Sequence, residues 1–354
     1  MNIKVLVIRT DFKHHGELSG YKQILRYLNP YKIFGINERD SSVKVPGLKI
    51  KYQWLFEFEA SKNRGDANII HILYGEDYFR WSTRLFKGTP VVATFHQPAE
   101  LLRREVLSGN LRGRVGHYTH LLSKKRFNKL SAAIVTNPTQ KEVLKEVMPE
   151  SRIHVIPLGI HLDEMKKKFQ EHTFLAKVPN NPRIIISVGN WLRDWEFYFK
   201  VVEKCKEWKF ILVNQKLDDQ NIAKAKQYDN LVYYSKISDD ELYDLFLMAD
   251  AQFISVTGMA ASNSLIQGLA LGCPLVLTDI DADEYKNEEA LLLYESGNVQ
   301  DCINKISSIV NLKENDLNEL KLKSHLYTYQ FSWEEVANRT LNLYKELLGN
   351  SIKD

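Results

Sequence analysis

Residues 183–197, RIIISVGNWLRDWEF, decide the fold. An apolar, largely β-branched run ends at Gly189, a polar loop carries Asn190 and Arg193, and WEFYFKVVEKCKE continues with helical spacing. This is a strand, a loop and a helix. Toward the carboxyl end the pattern recurs in KFILVN, LVYYSK, AQFISV and PLVLTD, separated by helix-patterned DDELYDLFLMAD and SLIQGLALG. Toward the amino end it recurs in IKVLVIRT, NIIHILYG, TPVVATFH, AAIVTN and IHVIPLG, with SGYKQILRYLNP and PTQKEVLKEVM as helical segments. Apolar strands alternating with helices predict parallel sheets covered on both faces. The polar, Lys-rich residues 156–182 read as a connector, so the expected class is α/β with two Rossmann-like, doubly wound parallel-sheet domains. Their expected bounds are 1–163 and 164–330, followed by a tail helix in 331–354. Ligands of such sheets sit at the carboxyl ends of the strands, and a cleft that two such domains face is the expected site.

The 354 residues suffice for two cores of ordinary size. With 44% apolar and 26% charged residues, 17 Gly and 10 Pro, the composition excludes a disordered or collagen-like chain. No apolar run approaches the roughly 18 to 20 residues that span a bilayer, and the start is too quickly charged for a signal peptide. A cytoplasmic protein is expected, with peripheral contact at the inner face of the membrane as a further expectation. Three widely spaced cysteines, without CxxC or clustered histidines, support neither a disulfide framework nor zinc.

The net charge of +4 hides an asymmetry. Residues 1–163 carry 26 Lys and Arg against 15 Asp and Glu; residues 164–354 carry 22 against 29. A basic first half suits an anionic partner, and uneven solvated charge is the alternative. The basic residues concentrate in 103–129, where Arg103, Arg104, Arg112, Arg114, Lys124, Lys125, Arg126 and Lys129 alternate with leucines and aromatics. Such a face can lie on anionic lipid or be the solvated flank of a packed helix. Nucleic acid is not expected, since no recognised module surrounds it.

Arg193, in the loop after a strand, can clamp a phosphate or simply pair with Asp194. In ISVTGMAASNSLIQGLALG a strand runs into small residues and a helix capped at Ser262 or Asn263; free amides there and the helix dipole favour a diphosphate, and a structural turn is the alternative. Gln267 lies one turn into that helix. His96 ends a strand, where a histidine serves more often as a hydrogen-bonding group than as a catalyst. KHHGELSGY lacks the GxGxxG spacing of dinucleotide binding, and no P-loop string exists. The acidic run with Asp279, Asp281 and Asp283 is common loop chemistry, and no metal site is assigned.

In their order along the chain, IIHILYG, TPVVATFH, AAIVTNPTQKEVL, IHVIPLGIHLDEM, SVGNWLRDW, SKISDDELYDLFLMAD and SNSLIQGLALGCPLVLTD resemble the GT-B glycosyltransferases, specifically the retaining glycosyltransferase family 4. The resemblance covers nearly the whole chain. It implies transfer of a sugar from a nucleotide-sugar to a glycan or lipid-linked acceptor, with retention and without a cofactor or required metal, in cell-surface polysaccharide synthesis. Arg193 would hold the diphosphate together with the helix end at Ser262, Asn263 and Ser264, beside Gly189 and Asn190. His96 would lie near the transferred sugar, Ser19 and Gly20 would form a small-residue loop facing donor and acceptor, and the tail helix around Trp333 would return to the first domain.

Two departures from the family pattern stand out. Its pair of glutamates falls on Met259 and Gln267, and its usual arginine after the strand-end glycine is Asn190. Gln267 can still bond a ribose hydroxyl, whereas Met259 offers a sugar no useful hydrogen bond. An altered donor is one consequence; a catalytically inactive GT-B-like binding or partner subunit is the alternative function. A sugar-nucleotide isomerase on a similar scaffold would need acid and base carboxylates that the motifs do not supply.

Overall fold

The computed structural model describes residues 2–11, 20–37, 42–45, 48–51, 53–78, 81–107, 126–173, 182–258, 262–280 and 290–350. The chain divides into two units, one comprising Met1–Gly159 with Trp333–Asp354 and the other Ile160–Ser332.

In the first unit β1 (Val5–Asp11), β2 (Lys32–Asn37), β5 (Ile69–Ile72), β6 (Val91–Phe95), β7 (Ala132–Val135) and β8 (Ile153–Val155) form one parallel sheet in the order β2-β1-β5-β6-β7-β8. β3 (Ser42–Val45) and β4 (Leu48–Lys51) pair antiparallel as a separate ribbon. β5, β6 and β7 are buried along their whole length, as a sheet covered on both faces requires. Helix α1 (Gln53–Lys62) precedes β5, and α2 (Pro138–Lys145) follows β7. The start of α2 is fixed by a capping box: Asn137 accepts from the Gln140 amide and Gln140 accepts from the Asn137 amide, with Pro138 at the first helical position.

The second unit opens with α3 (Leu162–Thr173). Its sheet contains β9 (Ile184–Val188), β10 (Lys209–Val213), β11 (Leu231–Tyr234), β12 (Ala251–Ile254), β13 (Leu275–Thr278) and β14 (Leu291–Tyr294), all parallel in the order β11-β10-β9-β12-β13-β14. Helices α4 (Trp195–Lys204), α5 (Asp219–Ala225), α6 (Asp239–Met248), α7 (Asn263–Ala270), α8 (Val299–Val310) and α9 (Glu314–Tyr327) connect or follow the strands. Strand order reverses between β9 and β12. That switch point is where an open parallel sheet leaves a crevice for a ligand.

Two sequence expectations change. The connector is half helix: Met165 and Phe169, four residues apart, are buried under the Lys166–Lys168 run, and Phe169 stacks on His325 with ring centroids 4.4 Å apart. β2 and the β3–β4 ribbon were not expected. β2 is an edge strand with Ile33 exposed, as is Tyr31 just before it, so it lacks the continuous apolar run of a central strand.

The last helix, α10 (Trp333–Asn350), belongs to the first unit. A Cβ at Gly159 would lie 2.4 Å from the Trp333 ring, so only glycine lets the indole lie on that turn. Arg339 donates to the Val155 carbonyl at 2.8 Å.

Candidate active site

β9 delivers its buried run to Gly189, whose φ of +122° is left-handed. The positive φ favours glycine there, and a side chain at 189 would stand 2.1 Å from Nη2 of Arg193 and displace the guanidinium. The turn that follows is tied to both neighbouring loops. On the β10 side, Asn214 Nδ2 donates to the Gly189 carbonyl and Asn190 Oδ1 accepts from the Gln215 amide, each at 2.9 Å. On the β12 side, the Leu192 carbonyl accepts from the Thr257 amide at 2.9 Å, and Ser255 Oγ donates to the Asp194 carbonyl at 2.9 Å. Arg193 itself bridges antiparallel to Val256. Leu192 is held at a φ of +51°, a sparsely populated conformation for a leucine.

Within this frame the Arg193 guanidinium folds back over the end of β9. It donates to the carbonyls of Val188 at 2.8 Å and Trp191 at 3.1 Å, and reaches Ser264 Oγ at 3.5 Å. Asp194 does not neutralise it: that carboxylate caps α4, accepting from the Phe197 amide at 3.0 Å. Among the described residues Arg193 has no ion-pair partner. Burial pushes the guanidinium down to about 10, which leaves it protonated at neutral pH. A charge so placed, bonded only to neutral acceptors, is poised for an anion.

The start of α7 lies against the same strand end, where Ser264 Oγ meets Arg193. Ser262 occupies the N-cap position without accepting from the helix; its hydroxyl meets Ser264 Oγ at 3.3 Å. The amides of Asn263, Ser264 and Leu265 precede the first intrahelical donor, Ile266, and have no acceptor among the described residues. Ser264 Oγ also donates to the Val188 carbonyl at 3.3 Å. Gln267 lies partly buried one turn further on.

Gly189, Asn190, Arg193, Ser262, Asn263, Ser264 and Gln267 therefore meet at the switch point of the second sheet. Gly20 and His96 lie in the first unit, gathered at one end of its sheet. Gly20 has φ +86° and its carbonyl accepts from the Gln23 amide at 3.2 Å. His96 Nε2 donates to the Leu73 carbonyl at 2.7 Å, between the rings of Tyr21 and Tyr74 at 4.7 and 4.9 Å. A carbonyl only accepts, so this bond places the imidazole proton on Nε2.

Ser19, Met259, Asp281, Asp283 and most of the basic segment fall outside the described residues. Of that segment, Arg103 is paired with Glu100 at 3.0 Å and Glu146 at 2.8 Å, so its charge is already compensated. No described helix is long and apolar enough to cross a membrane. The bracing residues Asn214, Gln252, Ser255 and Thr257 were not singled out from the sequence. A signal for Gln252 existed, a single amide inside an apolar strand.

Two six-stranded parallel units define the GT-B fold, the two-domain fold of many glycosyltransferases. Residues 26–164 match the family model of Glycosyltransferase Family 4. No curated protein matches the chain in sequence. Among solved structures, a sucrose-phosphate synthase from Thermosynechococcus elongatus is similar with a TM-score of 0.72 and 15% identity, covering 98% of this chain and 100% of that one. A UDP-forming α,α-trehalose-phosphate synthase from Burkholderia vietnamiensis has a TM-score of 0.72 at 9% identity, over 97% and 100%. Anabaena Alr3699/HepE in complex with UDP has a TM-score of 0.70 at 12% identity, over 97% and 100%.

Proposed function

We propose that the chain is a retaining glycosyltransferase that moves a sugar from a nucleotide-sugar to a glycan or lipid-linked acceptor in cell-surface polysaccharide synthesis. The observation that carries this reading is the Arg193 guanidinium, without an ion-pair partner among the described residues, beside the first amides of α7, which no described group accepts, at the switch point of the second unit. Similar folds hold the matching ligands: HepE is described with UDP, and with UDP and glucose.

In the proposed reaction the bond between the anomeric carbon and the diphosphate oxygen breaks. Positive charge develops on the sugar, and negative charge collects on the leaving diphosphate. Arg193 and the amides of Asn263, Ser264 and Leu265 stabilise that negative charge from positions already fixed before the reaction. The acceptor oxygen attacks from the face the diphosphate leaves, its proton passing to a diphosphate oxygen, so configuration is retained without a carboxylate nucleophile. Gln267 bonds the ribose, and His96 and Gly20 are assigned to binding sugar or acceptor. The positive charge that faces the leaving group comes from Arg193, and no metal is required in this scheme.

Incubation with a panel of sugar nucleotides should release nucleoside diphosphate, and the same nucleotide should raise the melting temperature by mass action. A thermal shift without turnover on any acceptor would instead support a GT-B-like binding subunit, for which Met259 and Gln267 are the motivating residues. Attachment of residues 103–129 to anionic lipid is a separate proposal. It predicts sedimentation with anionic liposomes at low salt and loss of that binding at high salt.

A further inference from the structure

We propose that Gln252 is a positioning residue, which fixes the first turn of α7 in the orientation that receives the diphosphate; this rests on the site reading given above. Gln252 lies in the middle of the second sheet, on β12, in register with Ile186 of β9 and Leu275 of β13, and is fully buried. Its Nε2 donates to the Ser264 carbonyl at 3.0 Å. Its Oε1 has no hydrogen-bond partner among the described residues. A Cβ at Gly268 would lie 2.3 Å from that oxygen and 2.9 Å from Cε1 of Phe246, so the glutamine and the phenylalanine together oblige α7 to carry a glycine in its interior.

For the fold alone this is a poor arrangement. A buried amide is desolvated, one acceptor is orphaned, and a helix-interior glycine adds backbone entropy to the unfolded chain. The return is a single hydrogen bond between neutral groups. A methionine of similar length would fill the space without any orphaned polar atom.

The bond's location explains it. The Ser264 carbonyl and the Leu265 amide belong to one planar trans peptide unit and point in opposite directions. Holding the carbonyl from inside the sheet therefore aims the Leu265 N–H outward from the helix start. The same residue, Ser264, presents its hydroxyl to Arg193 and Val188. Gln252 thus joins the sheet, the helix amides and the cation into one rigid anion receptor.

The test uses Gln252→Met and, as a second packing solution, Gln252→Leu in the full chain, with thermal unfolding in the absence of ligand and titration with nucleoside diphosphates and inorganic pyrophosphate. We expect at least one variant to melt at or above the wild-type temperature and yet bind the preferred nucleoside diphosphate and pyrophosphate about tenfold more weakly, as loss of one oriented donor implies. Wild-type affinity in a stably folded variant overturns the inference. So does a loss of ligand-free stability in both variants, which would make Gln252 a purely structural residue. If the wild type binds no nucleoside diphosphate at all, the donor reading fails and takes this inference with it; binding that both variants retain leaves the donor reading standing and removes only Gln252.

Discussion

The guanidinium of Arg193 and the hydroxyl of Ser264 converge on one acceptor, the carbonyl of Val188, at 2.8 and 3.3 Å. The last residue of a central strand thus gathers a cation from the loop after β9 and the first turn of the helix after β12. Each group uses one lone pair of the same oxygen, so a single strand end holds two separate loops side by side.

Replacing Arg193 with Ala should remove most turnover. A preorganised donor at a developing anion contributes roughly 10²- to 10³-fold in kcat. Fold stability should change little, because no carboxylate among the described residues is left unpaired by the change. Steady-state kinetics with a calorimetric melting curve on the same preparation check both halves; near-normal kcat in a folded variant contradicts the assignment. Arg193→Lys should restore only part of the rate, since an ammonium cannot reproduce the planar fork.

Gly189→Ala should damage the same site through the backbone. The new methyl would need the space of Arg193 Nη2, 2.1 Å away, at a φ of +122° that alanine rarely adopts. Stability should fall by about 1 to 3 kcal/mol, and nucleoside diphosphate binding should weaken along with it. Differential scanning calorimetry and titration measure the two effects. A variant that melts like the wild type would show that the turn can relax without cost.

The fold was legible because β9, β10, β12 and β13 are near-continuous apolar runs, each closed by a turn or cap signal. Arg193 and the Ser262–Ser264 segment were legible for the same reason, as polar residues where such runs end. The bracing was not: Asn214, Ser255 and Thr257 act through backbone groups of residues 25 to 65 positions away, and such bonds leave no periodic trace. Residues 156–182 misled because three consecutive lysines outweigh two buried anchors, Met165 and Phe169, in any average over the segment. His96 shows the limit for single residues, since its bond to the Leu73 carbonyl depends on two adjacent strands.

Gln267→Ala should separate ribose from phosphate recognition. Gln267 stands one turn beyond the amides proposed to meet the diphosphate, and a neutral side chain can offer a ribose only ordinary hydrogen bonds. Losing one such bond weakens binding by about fivefold. Affinity for a nucleoside diphosphate should fall by that factor, while affinity for inorganic pyrophosphate stays constant. Isothermal titration with both ligands decides it, and an equal loss for the two would place Gln267 at the phosphates.

The first unit should become less stable in mild acid because of His71. Its Nδ1 meets Tyr344 of α10 at 2.5 Å and its Nε2 meets Thr94 of β6 at 2.7 Å, all fully buried. Burial, together with the nearby His96, pushes its pKa down to about 3. In the unfolded chain the imidazole takes its proton near pH 6.5, so below that value the unfolded state binds more protons and stability falls as pH falls. The loss begins near pH 6.5, reaches about 2 kcal/mol at pH 5 and continues toward pH 3. His154 and His325, also shifted downward by burial, act in the same direction and are common to both proteins compared. Denaturant unfolding at pH 7 and pH 5 of the wild type and of His71→Asn, which does not titrate, isolates the His71 contribution. The variant should start lower at pH 7, having lost the paired geometry, yet lose about 2 kcal/mol less on acidification. Equal acid sensitivity in the two proteins would mean that His71 binds its proton in the folded state as readily as in the unfolded one.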